Sequence, residues 1–71
     1  MLRRLEYVGG NSAKFWEVSQ AGPEVTIHYG RLGTEGQTLT KSFATPGLAT
    51  AHLEKLVSQK LGKGYVECTP A

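Results

Sequence analysis

Apolar and polar residues alternate along the first 44 residues of the chain, which is the pattern of β-strands with one buried face. This alternation predicts four strands, at residues 2–8, 14–20, 25–32 and 38–44. The segments that separate them contain Gly, Asn and Pro, which favour tight turns, at residues 9–12, 21–24 and 33–37. Connections this short favour an antiparallel meander, in which each strand pairs with the next one along the chain.

The pattern then changes to the spacing of a helix. Thr45 followed by Pro46 is typical of a helix start, with the threonine as N-cap and the proline in the first turn. Apolar residues recur on one helical face at Ala49, Leu53, Leu56, Val57 and Leu61. Two glycines, Gly62 and Gly64, end the helix, and residues 65–68 could form a last short strand.

These elements predict an α+β fold: a four- to five-stranded antiparallel sheet with one α-helix packed on a face. The length of 71 residues fits a single domain, residues 1–71. Trp16 and Val18 share a face of the second strand and are expected in the core, whereas Phe15 points to the opposite face. The uncovered face and the hairpin ends are where a function is expected.

Composition excludes several classes of protein. Cys68 is the one cysteine, so the chain cannot form an internal disulfide. No apolar segment approaches the roughly 20 residues that cross a membrane, and the N-terminus lacks the apolar core of a signal peptide, which favours a cytoplasmic location. The net charge of +2 permits a polyanionic partner without requiring one. All six acidic residues are glutamates, which argues against a site for a hard cation.

The chain contains few residues suited to catalysis. Its two histidines, His28 and His52, do not have the spacing of a zinc site, and no nucleophile elbow is present. We therefore predict no catalytic residue, no metal and no cofactor. A nucleophilic pair of Cys68 with one histidine is the weakest alternative, because both histidines are expected to be partly buried structural residues.

A glycine-rich segment begins in the last residues of the third strand, with Gly30, Gly33 and Gly36 spaced three apart. It runs into a strand, whereas dinucleotide and Walker phosphate loops open a helix, so both of these are excluded. The glycines by themselves indicate a tight hairpin with positive φ angles. Arg31 next to Tyr29 adds a guanidinium beside an aromatic ring, which suits a phosphate or a nucleotide end.

Two structural alternatives stay open for this segment. Tyr29 continues the apolar face of Val25 and Ile27, and it could belong to the core. Arg31 could form a salt bridge with a glutamate such as Glu35.

The same segment resembles the signature of the WGR domain, named for its Trp-Gly-Arg triplet. The similar residues are Tyr-Gly-Arg-Leu-Gly-Thr at 29–34, followed by Gly36 and Gln37. Three further segments are similar to the family in the same order and spacing: Ser-Ala-Lys-Phe-Trp at 12–16, Lys-Ser-Phe at 41–43 with Ala49 and Ala51 after it, and Lys-Leu-Gly-Lys-Gly-Tyr at 60–65. The resemblance spans nearly the full chain.

WGR domains occur in eukaryotic poly(ADP-ribose) polymerases and in bacterial proteins, including short stand-alone chains, which this chain resembles. In the polymerases the domain binds DNA near a strand break and relays that binding to a separate catalytic domain. The resemblance therefore implies a non-enzymatic nucleic-acid-binding module, with DNA more expected than RNA. Two residues depart from the family: Tyr29 replaces tryptophan, which reduces the area for stacking, and Ala13 replaces asparagine, which removes a polar side chain.

The predicted nucleic-acid-binding residues are Tyr29, Gly30, Arg31, Lys14, Lys41, Lys60 and Lys63. Arg31 would hold a phosphate, Tyr29 would stack, and the lysines would attract the backbone or strand end electrostatically. Little base specificity is expected, because no recognition helix is apparent. The alternative is a protein-interaction module that uses a sheet edge or the Tyr-Gly-Arg turn.

Overall fold

The computed structural model describes residues 2–69, and they form one antiparallel sheet and one helix. The elements are β1 (Leu2–Gly9), β2 (Ser12–Ala21), β3 (Glu24–Arg31), β4 (Gln37–Ser42), α1 (Pro46–Gly62) and β5 (Val66–Glu67). The strand order is β4-β3-β2-β1-β5, so the first four strands form a meander and β5 returns to pair with β1 at the far edge. The predicted α+β fold is confirmed.

The helix lies across one face of the sheet, here called the inner face, and the opposite face is called the outer face. The buried core between the helix and the inner face consists of Leu5, Trp16, Val18 and Val25 from the sheet with Ala49, Leu53 and Val57 from α1. Trp16 is only 4% exposed, so its predicted place in the core is confirmed. The helix packs against β2 and β3, and β4 lies beyond its cover.

One apolar helix residue does not join the core as predicted, since Leu61 is 44% exposed. The buried residues Ala49, Leu53 and Val57 are spaced by four, and each such step rotates about 40° around a helix of 3.6 residues per turn. Leu61 is the next step, which places it about 120° around the helix from Ala49. The prediction for Leu61 was wrong because a spacing of four drifts off the buried face.

Both ends of α1 form as the sequence indicates. The Thr45 hydroxyl oxygen accepts a hydrogen bond from the Leu48 amide at 3.2 Å, which is the expected N-cap. At the other end the amide of Tyr65 donates to the Lys60 carbonyl at 3.1 Å, so the chain turns back toward the sheet directly after the helix. Gly64, with a φ of 98°, adopts the left-handed conformation in this turn. The turn holds Tyr65 close to the last turn of α1.

No helix within residues 2–69 combines the length and the apolar character needed to span a membrane. In the same part of the chain, no three His, Cys, Asp or Glu side chains lie close enough together to hold a metal ion.

Candidate nucleic-acid interface

Three inner-face residues lie side by side where β1, β2 and β3 extend past the core. Tyr7 pairs with Lys14 in the β1–β2 register, and Lys14 pairs with Arg31 in the β2–β3 register. The Lys14 ammonium lies 5.3 Å from the centre of the Tyr7 ring. Directly paired residues of antiparallel strands have close Cβ atoms, and like charges at such a pair are destabilising. The Lys14–Arg31 pair therefore lowers stability unless an anion lies between the two charges.

The last turn of α1 adds two more cations to this end of the sheet. The Lys60 ammonium lies 5.6 Å from the centre of the Trp16 ring and 5.1 Å from that of Tyr65. Partial burial lowers the pKa of Lys60, and the nearby charges of Lys63 and Lys14 lower it further. A cation that is disfavoured by its neighbours is one that an incoming phosphate would stabilise.

The cations and aromatic rings line two adjoining cavities. The larger, of about 390 Å³, is lined by Tyr7, Ser12, Lys14, Lys60, Lys63 and Tyr65. The smaller, of about 230 Å³, is lined by Lys14, Phe15, Trp16, Tyr29, Gly30, Arg31, Lys60 and Tyr65. No acidic side chain lines either cavity. We call Lys14, Arg31, Lys60 and Lys63, with Tyr7, Tyr29 and Tyr65, the basic basin.

Tyr29 is half-buried and lies at the margin of the core, so the interpretation of this residue as part of the core holds in part. Its ring packs against the buried cluster and also lines the smaller cavity. Its hydroxyl donates a hydrogen bond to the Gln37 side chain at 3.1 Å. The ring is therefore fixed in position and still reachable from the basin.

Arg31 is exposed and forms no ion pair with any residue from 2 to 69. The alternative of an Arg31–Glu35 salt bridge is not observed. Its backbone is held firmly, because the Arg31 carbonyl accepts hydrogen bonds from the Thr34 amide at 3.1 Å and from the Thr34 hydroxyl at 2.8 Å. The arrangement presents an unpaired guanidinium from a braced turn.

The glycines of this segment are required by the packing of the chain. A Cβ on Gly30 would lie 2.7 Å from the Cα of Gly36, and a Cβ on Gly36 would collide with the carbonyl oxygen of Tyr29. Gly36 also has a φ of 71°, which side-chain-bearing residues rarely adopt. The turn of residues 32–36 therefore packs directly on β3, and Gly30 permits that close approach.

Lys41 does not join the basin. It pairs with Val25, six residues along β3 from Arg31, which corresponds to about 20 Å at the rise of an antiparallel strand. Its ammonium lies 5.4 Å from the centre of the Phe43 ring, and the residue lines a different cavity together with His52. Strand alternation placed Lys41 on the correct face but could not give its distance from Arg31.

The outer face has cations of a different kind, because each has a carboxylate partner. The Arg4 guanidinium contacts Glu6 at 2.9 Å and Glu17 at 3.1 Å, and His28 Nδ1 lies 2.8 Å from the second Glu17 oxygen. Although burial opposes it, hydrogen bonds from His28 and Arg4 hold the pKa of Glu17 below its ordinary value. Beneath this network Phe15 is only 4% exposed, and Arg4 lies 5.1 Å from the centre of its ring. We call Arg4, Glu6, Glu17 and His28 the outer network.

Cys68 lies just after β5, where its thiol donates to the Val66 carbonyl at 3.5 Å. Strand β3, which contains His28, is separated from β5 by β1 and β2, so about 14 Å lies between the two strands. A Cys68–His28 pair is therefore not formed.

Residue patterns alone did not identify Tyr7 and Tyr65 as part of the basin, or Ser12 as lining its larger cavity. Tyr7 shares a strand face with Leu5, and Tyr65 lies just after the helix, but nothing local indicates that their rings meet at 5.5 Å. The family-like segment of residues 60–65 was the one signal that could have indicated Tyr65.

Comparison with known proteins supports the interpretation of the sequence. A model of the WGR domain family matches residues 1–71. Protein YehF of Escherichia coli is 41% identical over 66 residues, which are 93% of this chain, and the uncharacterised Escherichia coli protein YfeS is 33% identical over 67 residues, which are 94%. The chain spans only 24% and 28% of the lengths of these two relatives.

A solved structure agrees with the fold. The crystal structure of a Bacteroides fragilis protein superposes with a TM-score of 0.93 at 41% identity, covering 96% of this chain and 19% of that protein. In poly(ADP-ribose) polymerases the WGR domain is a non-catalytic domain of a nucleic-acid-binding type. The match over its whole length shows that this chain belongs to the WGR domain family.

Proposed function

We propose that this chain is a non-enzymatic nucleic-acid-binding module that binds the phosphate backbone and strand ends of DNA in preference to RNA. One observation supports this most directly: the four cations of the basic basin meet around aromatic rings with no carboxylate among them. Nucleic acids offer phosphates for the cations and flat rings for the aromatic side chains. The cytoplasmic location expected from the sequence fits this role.

Each basin residue has a distinct task in the proposal. Arg31 is the exposed fork that holds a phosphate through paired N–H groups. Tyr29 supplies a fixed ring for stacking, and the larger cavity with Lys14, Lys60 and Lys63 takes a neighbouring phosphate. Lys41 is distant from this set and is proposed to contribute only long-range attraction.

The test is a titration of fluorescent duplex, nicked duplex and single-stranded DNA, with RNA of the same sequences, at two salt concentrations. The variants are Arg31→Ala and, as a matched control, Lys55→Ala. Lys55 is exposed on α1 and lies about 200° around the helix from the buried Leu53. Both changes remove one positive charge, so a specific role for Arg31 appears as a difference between them.

We expect Arg31→Ala to weaken binding and Lys55→Ala to leave it nearly unchanged. For wild type, the logarithm of the binding constant plotted against the logarithm of the salt concentration should have a slope no steeper than about −3.6, which is −0.9 for each of four neutralised phosphates. Binding that ignores salt, or equal losses in the two variants, would reject the proposed interface. Absence of binding to every DNA and RNA at low salt would reject the function itself.

A second candidate function rests on the uncovered edge of the sheet. Strand β4 is an edge strand, and Leu39 on its inner face is 57% exposed. Leu39 and Ile27 line two cavities, of about 300 and 260 Å³, that also contain lysines but no acidic side chain. These features suit an extended acidic segment of a partner protein that adds a strand to β4 and inserts apolar side chains beside Leu39.

This second candidate has its own test. A displayed library of ten-residue segments with alternating acidic and apolar residues is selected for binding to the wild-type chain. Selected segments should lose binding to Leu39→Ser and keep it with Leu48→Ser, because Leu48 is similarly exposed, at 54%, on the helix. If no segment is enriched, or if both variants bind equally, β4 is not such a docking edge.

The proposal of a non-enzymatic role also has a direct check at Cys68, the exposed thiol. Any turnover found for this chain should be unchanged in Cys68→Ser. A turnover abolished by that substitution would favour the enzymatic alternative.

A further inference from the structure

His28 lies on the outer face of β3, between Glu17 and the turn of residues 32–36. Its Nδ1 lies 2.8 Å from a Glu17 carboxylate oxygen, and its Nε2 contacts the backbone carbonyl oxygen of Glu35. The His28 ring also makes an edge contact with the Phe15 ring, and the two ring centres are 4.9 Å apart. The imidazole thus connects the sheet to the turn that follows Arg31.

Both partners of the ring are hydrogen-bond acceptors. A neutral imidazole has one N–H, which stays on the Glu17 carboxylate because hydrogen bonds to a charged acceptor are the stronger ones, and its Nε2 lone pair then faces the Glu35 carbonyl. The doubly protonated imidazolium has two N–H groups and satisfies both. The observed geometry therefore selects the charged form of His28.

The charges around His28 come from two neighbouring strands. Glu17 on β2 contacts the ring directly, while Arg4 and Glu6 on β1 lie behind Glu17 and contact each other. On the other side, β4 places the uncharged Thr38 opposite His28. The Glu35 carbonyl first and the Glu17 carboxylate second raise the pKa of His28, whereas burial and Arg4 oppose them.

The turn held by His28 is the one that braces Arg31. Glu35 precedes Gly36, whose Cα lies against Gly30, and the Thr34 amide and hydroxyl both donate to the Arg31 carbonyl. A loss of the Glu35 contact would free one side of this turn, which would keep its packing against Gly30 and its Thr34 hydrogen bonds.

We infer that His28 is a positioning residue for Arg31: its doubly protonated ring ties the 32–36 turn to the sheet from the face opposite the basic basin, and loss of the proton releases the turn. The significance for binding rests on the proposed function, but the tie between His28 and the turn does not. The tie is complete below the ordinary histidine pKa of 6.5 and is lost as the pH rises through the raised pKa of His28.

The test uses the wild-type chain without nucleic acid. NMR spectra are recorded as the pH is raised from below 6.5 through the pKa of His28. The His28 ring signals give its pKa, and hydrogen exchange gives the protection factor of the Thr34 amide, corrected for the intrinsic effect of pH. The Leu48 amide at the helix start is the internal reference, because its acceptor Thr45 lies far from the turn in sequence and belongs to the helix cap.

We expect the protection of the Thr34 amide to fall about three- to tenfold, which is the range for the loss of one hydrogen bond. The midpoint of this fall should match that of the His28 ring titration. Leu48 protection should not change. Glu17→Gln should lower both midpoints together, because it removes the carboxylate from Nδ1. His28→Gln should abolish the transition, and His52→Gln should leave it intact. A Thr34 profile that is flat in wild type, or unchanged in His28→Gln, overturns the inference.

A second arm measures DNA affinity over the same pH range for wild type, Glu17→Gln and His52→Gln. We expect binding to weaken about three- to tenfold at the His28 midpoint, and the midpoint to move down in Glu17→Gln. A midpoint that stays in place in Glu17→Gln overturns the role in binding. If wild type binds no DNA while Thr34 responds as expected, the proposed function fails and the tie between His28 and the turn stands.

Discussion

The basic basin and the outer network both place cations next to aromatic rings, on opposite faces of one sheet. In the outer network the cations Arg4 and His28 share the carboxylate of Glu17, and a buried Phe15 lies beneath them. In the basin Lys14 and Arg31 are cross-strand neighbours with no carboxylate between them.

The difference separates cations that stabilise the fold from cations that are available to a ligand. A cation next to a carboxylate is already neutralised, so a phosphate that approached it would have to displace the carboxylate. Cations placed against one another repel, and an anion relieves that repulsion. The two surfaces are therefore expected to differ in function, because only the outer network supplies carboxylates to its cations.

The strongest test of the comparison is the glycine where the two regions meet. Gly36→Ala adds a methyl group that would collide with the Tyr29 carbonyl and lie 2.8 Å from the Phe15 ring, at a φ of 71°. We expect a loss of about 3 kcal/mol or more in the free energy of unfolding, because conformational strain and overpacking add. Urea denaturation measures it.

Gly10→Ala is the matched control for this prediction. Gly10 also has a positive φ, 57°, but a Cβ there meets nothing within 4 Å. Its loss should be about 1–2 kcal/mol, from conformation alone. Equal losses in the two variants would show that the turn does not pack tightly between the two regions.

Removal of an arginine from each region should have opposite effects on DNA affinity and on stability. Arg31→Ala should weaken DNA binding about ten- to a hundredfold, the range for a hydrogen bond to a charged group, and should leave stability almost unchanged. Arg4→Ala should cost about 1–2 kcal/mol of stability, because it removes surface ion pairs and its contact with Phe15, and should leave DNA affinity nearly unchanged. Anisotropy titrations and urea denaturation of both variants measure the two effects. A stability loss in Arg31→Ala equal to that in Arg4→Ala would remove the distinction.

A smaller effect is expected at the aromatic side of the basin. Tyr29→Trp restores the residue of the family triplet and offers more area for stacking. We expect DNA binding to tighten by about two- to fivefold, a part of the free energy of one stacked base. The measurement is the same titration, with Tyr29→Phe as a control that changes the hydroxyl without enlarging the ring. Tighter binding by Tyr29→Phe than by Tyr29→Trp would contradict a stacking role.

The smallest effect concerns a paired cation at the sheet edge. A bidentate contact from Arg3, with a hydrogen bond from Thr69, lowers the pKa of Glu67 to about 2. Because its pKa is lowered, the Glu67 carboxylate stabilises the fold at pH values above its ordinary pKa of 4.5, and this contribution is lost as the pH falls toward 2. NMR titration should show β5 signals changing in that range, and Glu67→Gln should remove the transition. Identical acid titrations of the two forms would argue against the pairing.

The sequence by itself determined the elements of this fold. Period-two alternation located the four strands of the meander, and the Thr45-Pro46 cap located the start of α1, because strand and helix periods are local properties of the chain. The resemblance around Tyr29, Gly30 and Arg31 identified the family, since a short turn with fixed glycines keeps a recognisable spacing.

Tertiary structure alone decided which cations meet. Lys60 and Lys63 reach Lys14 only because α1 crosses the inner face and ends above the same edge of the sheet. Lys41 satisfied the same alternation and lies at the wrong end, because alternation gives the face of a strand residue but not its partner. The outer network was missed for the same reason: the alignment of Arg4, Glu17 and His28 depends on hydrogen-bond register between strands, which pairs residues distant in sequence.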